Sequence, residues 1–391
     1  MLPSQFRRCW SVVNLDNLAR NARTIKSLIG GQCQIMAVIK ADAYGHGAEL
    51  CARTLVGEGV RWLAVASLGE ALSLRRSGIG CDILILGKVL PDMADTLCDN
   101  HLTTTVSSYG HASELSALCS PGKRVKVHIK LDTGMSRSGF LCDDTALVVN
   151  EVEKTCRLPN LNCEGIFTHF SCSDELDEGS TAFTQGQFDR FMDVIQKLAA
   201  KGIEFKYRHT ANSAATLRFP QMHLDMVRPG LILYGLAPGE EQLPEGFTPA
   251  MELKAAIMMI KDIKKGASVS YGRTFIAPYD MKIAVVSIGY ADGYRRALSN
   301  RARVLVNGHF ADVIGRVCMD QTVIDISHCG HVSESDCVTL FGADENKYIG
   351  ADELSDLCGT ISYETVCLVG RRVPRLYIKD YAPCEIVDYL N

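Results

Sequence analysis

CEGIFTHFSCSDELDEGSTAFTQGQFDRFMDVIQKLAAKGIEFKYRHT, residues 163–210, holds one full repeat of the pattern that sets the fold. CEGIFTHF (163–170) and FKYRHT (205–210) are short, apolar and rich in β-forming residues. Between them, FDRFMDVIQKLAAKG (188–202) places Phe188, Phe191, Met192, Ile195, Leu198 and Ala199 at helical spacing. The pattern stops at Gly202, a residue suited to the left-handed turn after a helix. Strand, helix and strand in this order predict parallel pairing, because the chain must cross back before it adds the next strand.

Outward from this repeat the same alternation continues in both directions. IMAVIK (35–40), WLAVAS (62–67), CDILILG (81–87), LTTTVS (102–107), VKVHIKLD (125–132) and a last strand near HLDMVRPG (223–230) bring the count to eight. Eight strand–helix repeats over this length predict an α/β fold with an N-terminal (β/α)8, TIM-type barrel. From about Glu245 the pattern changes to strands without long helices: AAIMMIKDI (255–263), IAVVSIGY (283–290) and VLVNGHFADVI (304–314), where Asn307-Gly308 marks a tight hairpin. The expected division is therefore a barrel domain over 1–244 and a C-terminal, mostly-β domain over 245–391.

With 391 residues, 47% of them hydrophobic and 22% charged, the chain can bury two substantial cores. Its net charge of −4 is spread without long runs, which argues against nucleic acid or an anionic membrane as partner and leaves a small molecule. The opening MLPSQFRRCW has no apolar leader core, and the longest apolar runs are too short to cross a bilayer, so a soluble cytoplasmic protein is expected. Sixteen cysteines lie between Cys9 and Cys384 without a CxxC pair. They read as buried, reduced thiols, and no structural metal is expected.

In a barrel of this kind the reactive groups stand at the C-terminal ends of the strands. Lys40, Lys130, Arg137, His169, Asn212, Ser213 and Arg228 all fall at such ends. One lysine there would be a solvated charge; the clustering is what points to a site. Lys40 follows an apolar approach that desolvates its amine and favours the neutral, nucleophilic form.

AVIKADAYGHG (37–47) closely resembles the cofactor-lysine motif of the alanine racemases, pyridoxal-phosphate (PLP) enzymes of fold type III. The resemblance continues through HIKLDTGMSRSGF (128–140), FTHFSCSDE (167–175), HTANSAATLRFP (209–220), MVRPGLILYGLAP (226–238), VSYGRTF (269–275), SIGYADGYRR (287–296), GRVCMDQ (315–321) and ISYE (361–364). Nine matches in chain order make coincidence negligible.

The resemblance implies roles. Lys40 would anchor PLP, with Tyr44, Ser213, Tyr363 and the main chain at Gly230 and Leu231 holding its phosphate, and Asn212 beside them. Arg228 would face the pyridine nitrogen where other PLP enzymes place an acid; an arginine disfavours ring protonation, which suits racemisation over transamination. His169 and His209 would support Arg228. Racemisation needs a base on each face. Lys40 would serve one and Tyr271 of a second subunit the other, its phenolate favoured by Arg228 acting through His169. Arg137 and the Met319 N–H would clamp the substrate carboxylate. Lys130 matches a position many members carry carbamylated, Asp320 would lie near Lys40 from the other subunit, and Tyr290 would narrow the entrance. A homodimer with shared sites follows, making D-alanine for peptidoglycan.

By residue type alone several of these have plainer readings. Tyr271 is a strand aromatic, Ser213 a helix-terminal residue, Tyr44 a turn aromatic, and His169 and His209 core histidines. Gly370 and Arg371 depart from the Ser-Tyr of some relatives at the pocket edge. Related serine racemases are the nearest alternative, but they tend to carry Asn where this chain has Tyr363. PLP-dependent decarboxylases share the plan but use an acid in place of Arg228. A non-catalytic PLP-binding homeostasis protein would have no second domain.

Overall fold

A computed structural model describes residues 8–390. The first strand, β1 (Cys9–Asn14), belongs to the second of two compact units. The first unit comprises Leu18–Ala43 and Ala48–Thr248. Its strands are β2 (Gln34–Val38), β3 (Trp62–Val65), β4 (Asp82–Ile85), β5 (Thr103–Val106), β6 (Val125–Asp132) with the two-residue spur β7 (Phe140–Leu141), β8 (Leu161–Phe167), β9 (Tyr207–His209) and β10 (Met226–Val227). They pair in parallel in the order β10-β2-β3-β4-β5-β6-β8-β9. No ladder joins β9 to β10, yet the gap is bridged: Asp225 N–H donates to the Arg208 carbonyl (3.1 Å) and Arg228 N–H to that of Ala211 (2.9 Å). The result is a near-closed eight-stranded barrel, as the alternation of patterns predicted.

Strands β3 and β5 are buried at every position, as in a sheet covered on both faces; β3 is apolar throughout, whereas β5 buries three threonines. The long helix Glu178–Ala199 is where expectation and structure part. Its inward face is Thr184, Gln187, Phe191, Val194 and Leu198, not a stripe through Ile195 and Ala199. Two polar residues face inward because they have work there: the Gln187 amide accepts from Ser171 N–H (3.0 Å) and donates to the His169 carbonyl (3.2 Å).

The second unit contains the described residues up to Asn17, the four residues Tyr44–Gly47, and the chain from Pro249 on. Its strands are β11 (Met251–Ile263), the small ribbon of β12 (Ser268–Val269) and β13 (Phe275–Ile276), β14 (Met281–Val286), β15 (Arg303–Val306), β16 (His309–Asp312), β17 (Thr322–Asp325), β18 (Cys337–Asp344), β19 (Lys347–Ile349), β20 (Arg375–Lys379) and β21 (Ala382–Val387). The main sheet runs β16-β15-β18-β11-β1-β20-β21. At the β15–β16 hairpin Asn307 and Gly308 have φ of 48° and 72°, the positive pair a tight turn of this type needs.

The first strand groups with the chain from Pro249 on and not with the barrel unit. β1 lies antiparallel to β11 and parallel to β20, a central place in the sheet. Its partners are more than two hundred residues away, and no local pattern marks them. The expectation of uniformly buried thiols also fails, since Cys337 and Cys384 are exposed on sheet strands.

Candidate active site

The C-terminal ends of the barrel strands bring the expected cationic residues within one another's fields. Lys130, at the end of β6, is lowered to about 8, first by burial and then by Arg137, Arg228 and Lys40. Its ammonium donates to Ser138 Oγ (2.7 Å). His169 is held well below its usual range by burial and by Arg228, Arg137, Lys130 and Lys40. Lys40, Lys130, Arg137, His169 and Arg228 therefore form one electrostatic neighbourhood.

Arg228 is its centre, 4% exposed. One terminal nitrogen donates to the His209 carbonyl (2.8 Å) and to His209 Nδ1 (2.9 Å). The other donates to the carbonyls of Thr168 (2.7 Å) and Thr210 (3.0 Å) and reaches His169 Nδ1 at 3.4 Å. Nε makes no hydrogen bond among the described residues, so one guanidinium donor is uncommitted. Burial alone lowers Arg228 to about 9, and no carboxylate pairs with it. Arginine can only donate, so His209 Nδ1 must accept and its proton sits on Nε2, directed to His128 Nδ1 at 2.8 Å. That leaves the His128 proton on a buried Nε2 without a partner. Burial, with Arg228 second, drives His128 down to about 3, so this chain of imidazoles stays neutral.

Two acids that the sequence reading passed over position this cluster. Both Asp132 oxygens are used: Oδ1 accepts from Gly134 N–H and Ser136 N–H, and Oδ2 from Arg137 N–H at 2.9 Å, folding the loop that presents Arg137. Glu70 closes a capping box with Ser67 at the start of the helix Leu68–Arg76. Its other oxygen accepts from Ala41 N–H (2.7 Å), the residue after Lys40. That contact helps hold Ala41–Tyr44 at φ near +53°, a left-handed turn that non-glycine residues avoid. Ser67-x-x-Glu70 is legible as a cap signature, but its reach to Ala41 is not.

Asn212 and Ser213 are occupied within the barrel unit. Asn212 Oδ1 caps its short helix by accepting from Ala215 N–H and also accepts from Ser173 Oγ, both at 2.9 Å. Ser213 Oγ accepts from Gly230 N–H (2.9 Å), tying two expected phosphate-side residues together. Leu231 begins the 3-10 turn that follows.

The other expected residues lie in the β unit. Tyr44 and Tyr363 bring their ring centroids to 5.9 Å. Burial, with Tyr363 second, pushes the Tyr44 phenol far up, so it is a neutral donor. Tyr290 N–H donates to the Cys318 carbonyl and Ala291 N–H to that of Met319, each at 3.0 Å, which locks the Tyr290 turn to the Met319 loop. Asp320 is paired with Arg372 (2.7 Å) and, more loosely, Arg8 (3.6 Å), two residues the sequence reading gave no role. Tyr271 is not a core aromatic: it stands 72% exposed on a turn opened by Ser270, whose φ is 61°. Among the described residues no cluster of His, Cys, Asp or Glu is arranged to hold a metal.

A parallel barrel whose strand ends gather lysines, an arginine without a counter-acid and neutral imidazoles, continued in the same chain by a β unit displaying tyrosines, is the plan of a barrel-plus-sheet enzyme. Residues 13–238 match the family model for the alanine racemase N-terminal domain and residues 250–377 that for its C-terminal domain. The chain is 44% identical over 373 residues to the alanine racemase of Desulforamulus reducens, covering 94% of this chain and 98% of that one. It is 41% identical over 389 residues to that of Clostridium kluyveri, with 99% and 98% covered. Among solved structures, alanine racemase from Bacillus anthracis with bound L-Ala-P superposes with a TM-score of 0.93 at 36% identity, covering 100% and 99% of the two chains. The Clostridium difficile enzyme in complex with cycloserine gives 0.91 at 36%, covering 98% and 99%. This chain belongs to the alanine racemase family and is an isomerase acting on amino acids.

Proposed function

We propose that the protein interconverts L- and D-alanine with PLP held on Lys40, using Lys40 and the Tyr271 of a partner subunit as the two bases. The observation that carries this reading is Arg228. Its Nε is the one guanidinium nitrogen not committed to a carbonyl or imidazole among the described residues, and no acid among them pairs with it to protonate a ring nitrogen. That suits a bound pyridine kept neutral. PLP, when bound, supplies a covalent carbonyl and an electron-withdrawing ring that acidifies the substrate Cα–H.

The chain's own residues do the rest. Lys40 anchors the cofactor and then moves a proton on one face. Tyr271 Oη serves the other, and its exposure, with that of Tyr290 (42%) and Met319 (53%), fits a group whose target lies beyond its own unit's core. Arg137 and the Met319 N–H bind the substrate carboxylate, while Asp320, tied to Arg372, borders them. Tyr44, Tyr363 and Ser213 donate to the phosphate, and Asn212 keeps Ser213 at its helix start. His169 and His209 orient Arg228. The working form is then a homodimer that shares its two sites, with 245–391 reaching the other subunit's barrel. The D-alanine produced serves peptidoglycan, and the expected compartment is the cytoplasm; no helix among the described residues is long and apolar enough to cross a membrane.

The test is racemisation of L-alanine and, separately, L-serine by purified protein with PLP, read by chiral separation. Lys40→Ala should abolish both turnover and borohydride-fixed cofactor on the chain, seen by mass spectrometry. Tyr271→Phe should slow isotope exchange on one face by about 10²–10⁴ while sparing the other. Equal slowing in both directions would remove Tyr271 as second base, and serine turnover matching alanine would move the substrate to a broader class.

A further inference from the structure

Tyr44-Gly45-His46-Gly47 belongs to the β unit although its flanking residues belong to the barrel unit. Close main-chain contact fastens it there. Gly45 has φ +81°, and a Cβ on it would come within 2.3 Å of the Val366 carbonyl oxygen. Gly47 has φ +91°, and a Cβ there would strike the Tyr377 hydroxyl. Only glycine permits both the conformation and the approach. Tyr377 Oη in turn donates to the His46 carbonyl (3.0 Å).

Arg375, 1% exposed on β20, completes the fastening. Its Nε and Nη2 both donate to the Gly45 carbonyl, at 3.1 and 3.0 Å. Nη1 donates to the carbonyls of Gly370 (2.6 Å) and Val373, and Nη2 also to that of Val369 (2.6 Å). These partners are carbonyls, not carboxylates. Burying a cation without a counter-charge is unfavourable, and an apolar side chain of similar volume would fill the space at lower cost. What an apolar residue could not do is join two loops. The fork ties the residue after Tyr44 to the loop following the helix Ser362–Cys367, the helix that carries Tyr363.

We propose that Arg375 is a positioning residue for a two-tyrosine phosphate clasp: it fixes the spacing of Tyr44 and Tyr363 so that both phenols can donate to the same phosphate. This rests on the reading of those two tyrosines as phosphate donors. Arg375 itself touches no cofactor; it acts through the Gly45 carbonyl and the loop 369–373. Tyr44, neutral because buried, needs only to be held at the right place, and the planar five-donor fork can hold it where a lysine cannot.

The experiment compares PLP with pyridoxal, which lacks the phosphate, by titrating cofactor-resolved full-length protein and reading the bound-cofactor absorbance. Arg375→Lys should weaken PLP by about tenfold while changing pyridoxal by less than about twofold. Tyr44→Phe should show the same selectivity, and the double variant should be no worse than the poorer single one, because both changes act on one contact. Selective loss in Tyr44→Phe but equal loss of both ligands in Arg375→Lys would overturn the role of Arg375 and leave the clasp standing. No selectivity in Tyr44→Phe would remove the clasp and the proposal with it. Circular dichroism and the thermal midpoint of Arg375→Lys establish that it is folded; should it not fold, Gly45→Ala, whose Cβ would press on the Val366 carbonyl in the helix that carries Tyr363 and so shift the Tyr44 turn against it, carries the comparison.

Discussion

Lys130 carries the clearest consequence at the scale of single residues. Burial and three neighbouring cations bring it to about 8. An unfolded lysine titrates near ~10.4, so the unfolded chain binds the proton more tightly. The native state is therefore penalised below about pH 8, and the penalty is relieved as pH rises towards the unfolded value. In Lys130→Met the stability gain over that window should vanish, a result visible in denaturant unfolding at a series of pH values. Neutral Lys130 is also a nucleophile for carbon dioxide. Incubation with ¹³C-bicarbonate at about pH 8.5 should give a carbamate carbon by NMR in the wild type and none in Lys130→Arg. Lys40, Arg137 and Arg228 stood out in the sequence because each is an unusual polar residue at a strand end. Asp132 and Arg372 were not, since an aspartate before a turn and an arginine near a chain end look ordinary until their partners are known.

At the scale of elements, the helix Leu68–Arg76 links its own cap to the turn that follows Lys40. Glu70→Ala removes acceptors for Ser67 N–H, Ala66 N–H and Ala41 N–H together. Loss of a cap with its neighbours should cost about 1–2 kcal/mol of stability, measured by denaturant midpoint, and should loosen the left-handed turn behind Lys40, read as weaker PLP binding. Glu70→Gln, which keeps one acceptor, should recover part of both. The barrel strands were readable because short runs rich in β-branched and apolar residues recur between helical patterns, as in Trp62–Val65 and Asp82–Ile85. In Glu178–Ala199 the apolar spacing marked the helix and two of its buried residues, Phe191 and Leu198, but Thr184 and Gln187 are buried polar residues whose hydroxyl and amide are satisfied inside, and a hydrophobic count passes over them.

For the whole molecule, shared sites make a prediction that separate sites would not. Lys40→Ala and Tyr271→Phe subunits are each inactive or nearly so, but a mixed dimer carries one site with both residues intact and one with neither. Random exchange of equal amounts gives half mixed dimers with half their sites competent, so about a quarter of wild-type activity should return on mixing. Recovery near zero would count against site sharing. At this scale the pairing of β1 with β11 and β20 was not legible, because long-range pairing leaves no trace in a local pattern. That strand also has a consequence for biosynthesis. Cys9–Asn14 leaves the ribosome before any barrel strand, while its neighbours Met251–Ile263 and Arg375–Lys379 follow only after the barrel and at the very end. Until Met251–Ile263 and Arg375–Lys379 have been made it is a strand with both edges unpaired, the kind of segment that invites chaperone capture, and the sheet around it closes only after both.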